Sequence, residues 1–165
     1  DLTVFLIGLL VFKINQLSGV EKFKRVMKQP DLDALNEYIR ANRNYGFQWH
    51  TNDCFIFTNN CFKAMYGTGY ADDWLSKYTE NGMYLSREKL RKSFAAKTLY
   101  EALATKLKRV DGVPPRGALV TTKAARRWVI NDALGISLGS SAVFLGKQSL
   151  EALPIETITS GWVLA

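Results

Sequence analysis

Apolar residues recur at helical spacing through the first two thirds of this chain and at strand spacing through the last third. Asp31 stands as a cap before Leu32, Leu35 and Ile39, which share one helical face, while Asp33, Glu37 and Arg40 fall on the other. A second helix is predicted over Cys54 to Tyr66. Asn52 or Asp53 caps it, Phe55, Phe62 and Met65 lie on one side, and Ile56, Asn60 and Lys63 lie on another. Gly67 and Gly69 stop it. Ala71 to Tyr78 and Arg87 to Phe94 read as further helices, and Thr98 to Lys108 as another with Leu99, Ala102, Leu103 and Leu107 inward. Asp111-Gly112 and Pro114-Pro115 then break the pattern. Beyond them Ala118–Thr121, Trp128–Ile130, Leu134–Leu138, Ala142–Leu145 and Gly161–Leu164 read as short strands. Helices first and strands second predict an α+β domain, its helical N-terminal half packed on a small antiparallel sheet or half-barrel.

The N-terminus departs from this pattern. Leu2 to Phe12 is almost wholly apolar, and Gly19 to Gln29 is a basic amphipathic piece ended by Pro30. The chain therefore divides into an arm, residues 1–30, and a domain, residues 31–165. An apolar run of this length falls short of the roughly 20 residues that span a bilayer, and it lacks the charged leader and cleavage site of a signal peptide. The arm is expected to pack on the domain or on a neighbouring chain, as in a subunit of a larger assembly. Contact with a membrane is the alternative.

Composition narrows the rest. Of the 165 residues 47% are hydrophobic, with 4 Trp, 7 Tyr and 9 Phe, enough to bury a real core. The formal charge of +7 suits nucleic acid, anionic lipid or an anionic cell-wall polymer. The basic residues are scattered, however, and form no nucleic-acid-binding motif, so a solvated surface is the expectation and nucleic acid is not. Cys61 follows Cys54 by seven residues, about 10 Å along a straight helix, beyond the roughly 7 Å that a disulfide tolerates. Without a CxxC pair, and with one histidine, neither a zinc site nor any other cofactor is expected.

The segment Trp49-His50-Thr51-Asn52-Asp53-Cys54 carries the chemistry. A thiol at a helix N-terminus feels the positive end of the helix dipole, which favours thiolate and makes Cys54 a candidate nucleophile. The alternative is a small buried hydrophobe, the reading given to Cys61. His50, four residues before Cys54, is the candidate base.

In order, these features resemble the NlpC-type papain-like cysteine peptidase superfamily, and within it a phage and prophage branch of uncharacterised function. The residues that carry the resemblance are Trp49, Asp53-Cys54 with Phe57, Gly67-Thr68-Gly69, Arg116-Gly117-Ala118, Ala133-Leu134-Gly135-Ile136, Phe144-Leu145-Gly146 and Gly161-Trp162-Val163. It covers Leu32 to the C-terminus and implies a papain-like fold with Trp49, Asp53 and Ala133 around a cleft at Cys54. It also implies a histidine base at the position of Ala133, an aspartate at Ala118, and an orienting polar residue near Ser141. Two of these are alanine here. Without a base, the thiol loses its proton acceptor and the leaving amine its proton donor. The resemblance therefore implies a catalytically degenerate domain in a phage virion or tail, contacting other tail proteins through Leu2 to Phe12 or the host cell wall. An active peptidase or amidase degrading host peptidoglycan during genome entry, at the host envelope, is the first alternative. A basic nucleic-acid-associated virion protein is the second.

Overall fold

A computed structural model describes residues 29–125 and 132–165. The apolar run 2–12, the basic piece up to residue 28 and the strand expected over Trp128–Ile130 lie outside them. The described chain is α+β. Helix α1 spans Leu32–Asn42, with the Asp31 carboxylate accepting the Ala34 N–H at 3.0 Å. Helix α2 spans Cys54–Tyr66, capped by Asp53 and ended by Gly67 at φ 80°, a left-handed position that glycine occupies without strain. A hairpin of β1, Thr79–Glu80, and β2, Met83–Tyr84, turns on Asn81-Gly82. Helix α3, Arg87–Phe94, starts at the Ser86 cap and ends in a left-handed Ala95. Helix α4 is Leu99–Ala104.

Six strands follow among the described residues: β3 Leu107–Val110, β4 Leu119–Thr122, β5 Ala133–Ser137, β6 Ser141–Leu145, β7 Leu150–Pro154 and β8 Ser160–Leu164. They form one antiparallel sheet in the order β3-β8-β4-β5-β6-β7.

Three expectations change. Ala71 to Tyr78 is a run of turns, not a helix. The Asn59 side chain on α2 accepts the Ala71 N–H at 2.8 Å and donates to Asp72, which also takes the Gly69 N–H. These bonds fix the backbone before a helix can continue, and Trp74 and Lys77 close only three-residue turns onto Ala71 and Trp74. The helix from Thr98 stops at Ala104, because Leu107 to Val110 pair with Leu164 to Gly161 of β8. Edge strand β7 was not expected. Its two faces are mostly open to solvent, so it lacks the apolar alternation of its neighbours.

The sheet separates two apolar layers. On one face Leu134 and Ile136 of β5 join Leu119, Val143, Leu145 and Trp162 against α1, α2 and the 70–78 turns. On the other, Val120, Ala125, Ala133, Ala142 and Phe144 pack with Leu153, Ile155 and Ile158. This alternation along β5 decides what the helix α2 terminus meets.

Candidate functional site

The loop before α2 is docked on the far end of the sheet. Phe47 N–H donates to the Gly146 carbonyl, and Leu150 N–H donates to the Arg43 carbonyl. A Cβ on Gly46 would collide with the backbone of Lys147 and Gln148, so only glycine lets the loop lie this close. Gln48 and Asn52 then bond each other across a tight turn with His50 at its tip, at φ 67°. Trp49 and His50 are exposed there. Their rings gather on Tyr84, with centroids 5.1 Å from it for Trp49 and 5.7 Å for His50.

Beneath this aromatic layer Asp53 is buried. Its Oδ1 accepts the Ile56 N–H at 2.9 Å as the helix cap. Its Oδ2 accepts the hydroxyls of Tyr78 at 2.7 Å and Tyr84 at 3.4 Å. The two tyrosine rings stack at 7° across this carboxylate. Burial first, and then the Asp53 charge, raise the Tyr84 hydroxyl pKa to about 12.

Cys54 follows in the chain but faces the sheet. It is 5% exposed and packs in the same buried layer as Leu134; the backbones of Leu134, Cys54 and Phe55 favour the thiolate only weakly. Burial, with a smaller contribution from the Asp53 charge, pushes the thiol from 9.0 up to about 12. The expected dipole effect is outweighed. A helix terminus offers a charge about 0.3–1 kcal/mol, against on the order of 4 kcal/mol for a shift of this size. At neutral pH the thiol therefore stays protonated. Cys61 is fully buried in the core, its thiol also raised by burial, and both cysteines are free.

Ala133 does not face Cys54. It lies in the layer behind the sheet with Val120, Ala142 and Phe144, whereas Leu134 lies in the layer that holds Cys54. Strand parity gives the reason: side chains one residue apart point to opposite faces. The strand position facing the thiol is thus Leu134, an alkyl group that accepts no proton. His50 and the thiol also have different neighbours, aromatic rings for one and the β5 backbone for the other. Of the residues expected around a cleft, Trp49 is on the surface, Asp53 is an internal anchor and Ala133 is behind the sheet.

A family model described as a domain of unknown function, DUF6950, matches residues 27–164. The chain belongs to this family. No curated protein and no solved structure matches it. In this DUF6950 domain the site residues that the sequence reading missed are Tyr78, Tyr84 and Leu134. The signal for the tyrosines was present in Asn81-Gly82 between two short extended pairs, a strong hairpin cue that brings Tyr84 back beside Tyr78. Among the described residues no group of three or more His, Cys, Asp or Glu is placed to hold a metal ion, and no helix is long and apolar enough to cross a membrane.

Proposed function

We propose that this chain carries a catalytically degenerate NlpC-type, papain-like domain that acts by contact rather than by hydrolysis, as a structural component of a phage virion or tail. The observation that carries the reading is the sealed Cys54 thiol, buried in one layer with the aliphatic side chain of Leu134 on the facing strand. A cysteine peptidase needs a thiolate in an open cleft and a base within hydrogen-bond reach. Here burial supplies the opposite protonation state, and neither Leu134 nor Ala133 can move a proton. What remains at the position of an active-site rim is a contact surface, the exposed Trp49 and His50 layered on Tyr84. Aromatic residues of this kind are enriched at interfaces. The phage setting rests on the motif resemblance, and the partners it favours are other tail proteins or the host cell wall.

The test is digestion of purified peptidoglycan by the full chain beside Cys54→Ala. No new peptide ends from either folded protein is the expected result. Release that disappears in Cys54→Ala would overturn the degenerate reading. The virion assignment is tested separately, by mass spectrometry of purified particles from the producing host, where the chain should be present in stoichiometric amount.

A further inference from the structure

Away from Cys54, helix α3 is propped off the body of the protein. None of its residues is fully buried, and Leu90 and Phe94 reach inward from it. Phe94 meets Trp74 edge-on at 5.2 Å, Ser93 Oγ donates to the Lys77 carbonyl at 2.7 Å, and Arg91 Nε donates to the Lys97 carbonyl at 3.3 Å. These contacts tie the helix down along its C-terminal half and leave a cavity of about 310 Å³ beneath it. Phe55, Trp74, Leu90, Phe94 and Leu99 form apolar wall, and the Tyr78 hydroxyl there is already committed to Asp53. Such walls offer water few hydrogen-bond partners. The cavity is open to solvent on one side, and its volume matches the lower end of small-ligand pockets.

The charged residues that line the cavity are all basic. Arg87, Arg91 and Lys97 line it and are exposed. Among the described residues Glu80 pairs with Lys89 and Glu88 with Lys92, while the Glu101 carboxylate accepts the Lys97 backbone N–H at 2.7 Å and leaves the Lys97 ammonium to the rim. An apolar chamber with a cationic rim selects a molecule with an apolar tail and an anionic head.

We propose that this cavity binds a single-chain carboxylate amphiphile, its tail between Trp74, Leu90 and Phe94 and its head at Arg91 and Lys97. At about 30 Å³ per water-sized group, the chamber holds roughly ten non-hydrogen atoms, a tail of about eight to ten carbons. This site is independent of the Cys54 reading.

Calorimetric titration of the full chain with butyrate, hexanoate, octanoate, dodecanoate and octan-1-ol tests it. Affinity is expected to rise about fourfold for each added methylene up to octanoate, and to level off by dodecanoate. Octan-1-ol should bind at least about tenfold more weakly than octanoate, because it cannot form the charge-assisted bonds. Leu90→Trp, which fills the chamber, should abolish octanoate binding, and Arg91→Glu should weaken it at least about tenfold. Lys97→Glu, at an exposed side chain outside the contacts that tie the helix down, should also weaken octanoate binding at least about tenfold and remains a valid test where Leu90→Trp or Arg91→Glu disturbs the helix. Equal affinity for octanoate and octan-1-ol, affinity indifferent to chain length, or octanoate binding unchanged in Arg91→Glu would overturn the proposal. So would binding of an acidic amphipathic peptide with none of octanoate up to about 1 mM.

Discussion

The thiol of Cys54 packs in the same buried layer as Leu134, so the start of helix α2 meets the start of strand β5. This packing places the thiol against a sheet rather than in a cleft, and it puts the residue before Leu134, Ala133, on the sheet's other face.

The buried thiols should be inert. In the native protein at about pH 7 a disulfide reagent is expected to modify neither Cys54 nor Cys61 on the timescale on which it modifies both in denaturant. Rapid native labelling of Cys54, resolved by peptide mapping, would contradict the sealed geometry.

The same burial makes stability depend on pH at the alkaline end. The Cys54 pKa lies at about 12 in the fold against an ordinary 9.0, so the fold favours the neutral thiol. That contribution is complete below pH 9 and is lost as the pH rises toward 12; Tyr84, raised from 10.0 to about 12, acts in the same sense. Denaturant unfolding should therefore show lower stability at about pH 10 than at about pH 7. In Cys54→Ala the difference should shrink.

Strand parity gives a prediction that separates two neighbouring positions. Leu134→His should place an imidazole on the thiol's side of the sheet and raise the alkylation rate of Cys54 by at least about tenfold in a Cys61→Ala background. Ala133→His should leave that rate unchanged and cost about 1–3 kcal/mol by overpacking the rear layer. Activation by Ala133→His alone would mean that β5 faces the other way.

Asp53 is an internal anchor that ties three elements together. Asp53→Ala removes a helix cap and leaves Tyr78 without its acceptor, a loss expected to be about 3 kcal/mol in urea unfolding. Tyr78→Phe should lose about 1–2 kcal/mol. Trp49→Ala, at a residue 60% exposed, should change stability by less than about 0.5 kcal/mol while removing any contact made by the aromatic surface.

The Asn59 bridge explains why the 69–78 segment is not helical. Asn59→Leu leaves the Ala71 N–H buried without its acceptor and should cost about 1–3 kcal/mol. Gly69→Ala should be at least as costly, since its Cβ would overlap the Asn59 amide. A stable Gly69→Ala protein would show that this segment can shift.

Helices at 32–42, 54–66 and 87–94 were legible because each is bounded by local chemistry: Asp31, Asp53 and Ser86 at the starts, and Gly67 after the second. Central strands were legible from apolar runs that sit in the interior. Leu107 and Lys108 looked like the end of a helix because the partner of Leu107–Val110, Ser160–Leu164, lies some fifty residues away in the chain. For the same reason residues 71–78 kept a helical pattern that Asn59 overrules.

The sequence by itself determined the α+β class, the α2 boundaries and the arrival of a cysteine at a helix start. Caps, glycine stops and side-chain period act over a few residues, so they can be read in one dimension. Tertiary structure decided that Cys54 is sealed, that Leu134 and not Ala133 faces it, that Tyr78 and Tyr84 close over Asp53, and that a cavity lies under α3. Burial, strand facing and proton affinity depend on which distant residues cover a group, and no local pattern encodes that cover.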